Sequence, residues 1–112
     1  MPLPRIDKAN RDKPLCYDPN RKKFITYDEI IAGTERIHPV DALSDADFQE
    51  LVIERQRRGP AYRVQAMSGP PLSREDVIRS IERNEPFGRM TKDAERSALR
   101  DLLRQIDENL KK

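Results

Sequence analysis

The chain has 112 residues, 36% hydrophobic and 38% charged, with 22 basic against 20 acidic side chains and a net charge of +2. That length fits one small domain with one modest core, burying roughly two-thirds of its unfolded surface, and the even charge balance supplies no whole-protein field to draw in nucleic acid. A single cysteine, Cys16, and a single histidine, His38, exclude an internal disulfide and a Cys/His zinc cage built from one chain.

Residues 1–14 read as an extended arm, disordered unless bound. Pro2, Pro4 and Pro14 interrupt it, charged side chains fill the space between, and only Leu3 and Ile6 could reach a core. Residues 15–112 read as a single small domain. The stretch has no apolar run approaching the roughly 20 residues of a membrane span, and the N-terminal segment lacks the apolar centre of a signal peptide. A cytoplasmic location is the expectation, with no membrane contact.

"PLCY" and "KFIT" predict a short hairpin across an Asp18-Pro19-Asn20-Arg21 turn. Three helix starts then share one grammar. Thr26, Ser44 and Ser73 stand as N-caps. Glu29, Asp47 and Asp76 stand three residues on, where a capping box closes, and Ile25/Ile30, Leu43/Phe48 and Leu72/Val77 are placed to staple. The first helix spans about 27–32 and ends at Gly33; the second spans about 45–58 and stops at Gly59-Pro60. "AYRVQAM", residues 61–67, alternates Tyr62, Val64 and Ala66 and predicts another strand. A third helix runs about 74–84, with Pro86 blocking its continuation. Thr91 caps a fourth over about 92–110, whose apolar stripe is Ala98, Leu99, Leu102, Leu103, Ile106 and Leu110. That stripe serves either the chain's own core or a second copy, so a homo-oligomer through the C-terminal helix is one option. The segment "EPFGRM" and its cap separate helices three and four by more than a helix-turn-helix allows, which favours an αα-hairpin with Phe87 and Met90 closing its end.

The fold class expected is therefore mainly α. The expected core is Phe48, Leu51, Val52, Val77, Ile78, Ile81, Leu99, Leu102, Leu103 and Ile106, flanked by Ile25 and Ile30.

Three basic clusters are the candidate contact sites, for a protein partner or for phosphate: Arg21, Lys22 and Lys23 in the first turn; Arg55, Arg57, Arg58 and Arg63 after the second helix, with Tyr62 as a stacking neighbour; and Arg96, Arg100 and Arg104, four apart on the last helix. The competing explanations are an exposed turn, cations complementing a helix C-terminus, and a solvated helix face paired to Asp93 and Asp101. His38 has no second histidine or nucleophile motif beside it, and Cys16 lies between Leu15 and Tyr17, where a free cysteine acts as buried filler. No Gly-rich phosphate loop, nucleophile elbow or metal motif occurs, so no cofactor and no catalytic residue is expected.

Two local resemblances follow from these residues. "DPNRKKFITYDE", within residues 17–30, resembles an EF-hand loop: Asp18, Asn20, Phe24, Ile25, Thr26 and Glu29 match its pattern. Lys22 at a ligand position and Lys23 in place of the turn glycine depart from it, and the capping box accounts for the C-terminal half of the match. "ANR", "YD", "KFITYDEI" and "VDALSDADFQELVIER", across residues 9–56, resemble the N-terminal DNA-binding domain of polyhydroxyalkanoate accumulation regulators. Ala9-Asn10-Arg11 stands further from Tyr17 than in that family, with Pro14 between, and "IAGTERIHP" differs. This resemblance implies a nucleic-acid-binding regulator with Arg21, Lys22 and Lys23 at phosphate. The expected function is a non-enzymatic protein-interaction module, an accessory subunit or small regulator of a larger assembly. The alternatives are a nucleic-acid-binding transcriptional regulator and a degenerate calcium-binding protein.

Overall fold

Asp18 begins the first chain reversal. Its carboxylate accepts the backbone N–H groups of Asn20 and Arg21 at 3.0 and 3.4 Å, and Lys22 takes the left-handed conformation at φ 52° that completes the turn. The computed structural model describes residues 8–59, 63–64 and 70–111. In it the turn joins strands β1 (Pro14–Asp18) and β2 (Lys23–Thr26), which pair antiparallel as the sequence predicts. A bulge at Leu15 lets Leu15 and Cys16 both be fully buried. Tyr17 faces Phe24 across the strands with ring centroids 4.8 Å apart.

The arm departs from expectation where it is described. Lys8–Arg11 is a helical turn, α1, and Pro14 is a buried member of β1. Residues 1–7 lie outside the described residues, and with them Leu3 and Ile6.

Helix α2 (Tyr27–Ala32) and helix α3 (Asp45–Arg58) have the predicted bounds. Thr26 and Glu29 close both halves of a capping box. Gly33, at φ 79°, ends α2 with Gly33 and Thr34 donating back to Ile30 and Glu29. Ser44 caps α3 through Asp47 N–H at 3.1 Å. A single 3₁₀ turn, Val40–Ala42, lies between them. After α3, strand β3 (Arg63–Val64) pairs with β4 (Leu72–Ser73); the rest of the predicted 61–67 strand, including Tyr62 and Ala66, lies outside the described residues.

Helix α4 (Arg74–Glu82) starts with a complete Ser73–Asp76 box and ends two residues before the predicted limit. Asn84 takes φ 54°, and Asn84 and Glu85 donate to Ile81 and Ser80 in the pattern of a left-handed helix stop. Helix α5 (Pro86–Leu110) begins a turn and a half before the predicted 92. Pro86 does not merely end α4; it opens α5, because the first helical position needs no N–H and suits a fixed φ. Thr91 consequently sits inside the helix, donating to Phe87 O at 2.9 Å instead of capping. The link between the helices is only residues 83–85, so its length no longer argues against a helix-turn-helix. The two helices pack very closely at Gly88: a Cβ there would stand 2.3 Å from the Ser80 carbonyl oxygen. Met90 does not close the hairpin end, being 60% exposed, whereas Phe87 packs against the core.

The mainly helical, single-domain architecture expected from the sequence is the one observed. Phe48, Leu51, Val52, Val77, Ile81, Leu99, Leu103 and Ile106 are core; Ile78 and Leu102 are only partly buried. Ile25 is central, not flanking, and Leu15, Cys16, Tyr17, Tyr27, Val40 and Ile53 join it. The hairpin is therefore part of the core, with β1 packed on α3. Of the predicted α5 stripe, Leu99, Leu103 and Ile106 are buried within their own chain and Leu102 partly so, whereas Ala98 is exposed and Leu110 is 46% exposed. No described helix is long and apolar enough to cross a membrane.

Candidate interaction surfaces

The first basic cluster is tied into its own surroundings. Arg21 donates from Nε to Asp18 at 2.6 Å and from Nη1 to Glu35 at 3.0 Å. Lys23 pairs with Glu29 at 2.9 Å and with Glu35 at 3.0 Å. Asp18, Glu29 and Glu35 thus converge on two cations, which clip the hairpin to the loop after α2. Arg21 and then Lys23 hold the Glu35 carboxyl at about 2, against an ordinary 4.5. The Arg21 guanidinium keeps Asp18 low, and Lys23, helped by the Thr26 backbone, does the same for Glu29. The carboxylates that matched an EF-hand are neutralised by the chain's own cations. Among the described residues, no group of three His, Cys, Asp or Glu is arranged to hold a metal. Lys22 alone of this cluster is exposed without a hydrogen bond or ion pair among the described residues.

The second cluster separates. Arg55 is 5% exposed and leaves the set of surface contacts: Nε donates to Glu95 at 2.9 Å, Nη1 to Pro14 O at 2.9 Å and Nη2 to the Asn10 side chain at 2.8 Å. It ties α1, β1 and α5 to α3. A buried guanidinium survives only where its donors are satisfied, and here all three nitrogens are. Arg58 pairs with Glu54 at 2.7 Å and lies 5.7 Å from the Phe24 ring centroid. Arg57 is exposed and makes no hydrogen bond or ion pair among the described residues. Arg63 is placed in β3 opposite Ser73, and its side chain lies outside the described residues.

The third cluster is mostly a fastening. Arg100 makes a bidentate pair with Asp41 at 2.7 and 2.8 Å, and Arg96 reaches Asp45 at 3.2 Å while lying 4.5 Å over the Phe48 ring. The predicted helix-face pairs Arg96–Asp93 and Arg104–Asp101 also form. Arg100 draws the Asp41 carboxyl below its usual range. Only Arg104, whose one pair is long at 3.5 Å, still projects freely from this row.

Two residues that sequence reasoning passed over matter here. Lys92 is buried, with its ammonium on Asp45 at 3.0 Å and Gln49 at 3.2 Å. Its spacing of seven from Leu99 and of fourteen from Ile106 placed it on the core stripe, and that was the available signal. Glu35 carried no such signal, since its partners come from the hairpin. Cys16 is fully buried, and burial pushes its thiol up to about 11, which makes it a poor nucleophile. His38 Nε2 lies 4.0 Å from the Asp18 carboxylate.

Two open grooves mark the surface among the described residues. One of about 290 Å³ lies over Ile37, Val40 and Leu103; another of about 350 Å³ lies between the end of α3 and α4, with Ile78 among Arg57, Arg74 and Arg79. No family model, curated protein or solved structure matches this chain.

Proposed function

We propose that the protein is a non-enzymatic interaction module, an accessory subunit or small regulator that works by binding another protein. The observation that carries this reading is the internal pairing of its basic side chains. Arg21, Lys23, Arg55, Arg58, Arg96 and Arg100 each sit on a carboxylate of the same chain. Cations neutralised in this way make a weak electrostatic footprint for a phosphate backbone. The shape adds support: the radius of gyration is 14.6 Å against about 13 Å for a compact chain of this length, and the longest dimension is 48 Å.

The mass of the native assembly, with its components identified, tests the reading. A fixed stoichiometric protein partner is the expected result; a free monomer at native concentration overturns it. The rival, a nucleic-acid-binding regulator, keeps as favourable observations the exposed Lys22 and Arg57, which make no ion pair among the described residues, and the short link between α4 and α5. A duplex-DNA band shift that weakens steeply with salt would select it. Calcium binding is the third reading, and amide shifts at Asp18–Glu29 on adding calcium are its test. Arg21 and Lys23 would have to leave their carboxylates first.

A further inference from the structure

We propose that the corner of the molecule around Gly59 docks an acidic segment of the protein partner, an inference that rests on the interaction-module reading above. Three separate parts of the chain bring cations to this corner. Arg57 and Arg58 close α3. Arg74, in the first turn of α4, donates from Nη1 to Gly59 O at 2.8 Å. Lys13, from the link between α1 and β1, arrives from the other side, its Cε 3.0 Å from where a Cβ on Gly59 would stand. From Arg55 to Arg74 the sequence contains no acidic residue at all.

A helix C-terminus carries about half a negative charge, which one cation more than offsets. Four gather here. Glu54 answers Arg58, and Glu75 answers Arg74. Lys13 and Arg57 have no hydrogen bond or ion pair among the described residues. This is the reverse of the hairpin turn, where carboxylates match the cations closely. The corner opens into the groove lined by Arg57, Arg74, Ile78 and Arg79, where Glu75 and Glu82 flank Ile78 along α4. A segment with carboxylates toward Lys13 and Arg57 and one apolar side chain on Ile78 complements both features. The positive charge is confined to a corner and does not run along a face, which suits a short peptide contact better than a duplex backbone.

The test uses the full chain and a synthetic Glu-rich peptide with one central Leu. Titration is expected to move the amides of Arg57, Gly59, Arg74 and Ile78 together. The Lys13→Glu/Arg57→Glu variant is expected to weaken binding roughly tenfold or more, and Arg36→Glu, on the loop after α2, to leave it unchanged. Arg57→Ala, which introduces no new charge, gives the same direction should the double variant fail to fold. No shift at these amides with peptide at about 1 mM overturns the proposal. So does duplex DNA that displaces the peptide and moves the same amides more tightly. The native assembly separates the two readings. A fixed partner retained by the double variant sinks the docking site and spares the interaction module; absence of any fixed partner sinks the module itself.

Discussion

The hairpin turn at Arg21–Lys23 and the end of α3 at Arg57–Gly59 are built from the same kinds of residue and use them differently. In the turn, Asp18, Glu29 and Glu35 surround Arg21 and Lys23, and the charges hold a strand pair to a loop. At the end of α3, the cations outnumber their acidic neighbours, and Lys13 and Arg57 are left without an ion pair among the described residues. A basic run in a sequence is thus not one feature. Its meaning depends on how many carboxylates the fold delivers to it.

Arg55 is the strongest test of this contrast, because it belongs to the second run by sequence and to the interior by structure. Arg55→Ala leaves Glu95, Asn10 and the Pro14 carbonyl without their donor, and the expected loss is about 3–5 kcal/mol. Urea unfolding measures it; a surface-like loss of a few tenths would remove Arg55 from the interior class.

The acid response comes next. The folded Glu35 carboxyl stands near 2, below its ordinary 4.5, so its contribution to stability is fully present above about pH 4.5 and fades as pH falls toward 2. Asp18 and Glu29 are lowered in the same direction. Glu35→Gln is therefore expected to flatten the fall in stability through that acid window, which thermal melts across pH would record. An unchanged pH profile would mean that the turn is not held by this network.

Lys22 sharpens the comparison on the backbone side. A non-glycine residue in the left-handed region is strained by about 1 kcal/mol, and Lys22 has no ion pair among the described residues to offset it. Lys22→Gly is expected to raise stability by up to about 1 kcal/mol in chemical unfolding, a gain reduced by the greater freedom of glycine in the unfolded chain. The smallest effect belongs to Arg57. Arg57→Ala is expected to change stability by less than about 0.5 kcal/mol, as a surface change that breaks no pair. A larger loss in the same assay would show that Arg57 supports the fold.

Much of the architecture was legible because it is written in local signals. Thr26 with Glu29, and Ser73 with Asp76, mark helix starts through bonds reaching only three residues, and Gly33 marks a stop through its own φ. Pro86 was ambiguous for a local reason too: the same ring that forbids continuation of one helix favours the first position of the next. The candidate contacts were less legible. Arg21 meets Glu35 across fourteen residues, Arg55 meets Glu95 across forty, and Arg100 meets Asp41 across fifty-nine.

By itself, then, the sequence determined the bounds of α2 and α3, the start of α4 and most of the apolar residues these helices turn inward, because capping and periodicity act within a turn or two of the chain. Only the tertiary structure decided which cations are interior braces, which are neutralised clips and which still face solvent. Burial and Coulombic pairing depend on neighbours that folding brings from distant parts of the chain. It also turned the hairpin, which reads as a modest polar turn, into part of the core, since Leu15, Cys16 and Ile25 become fully buried only when α3 closes over them.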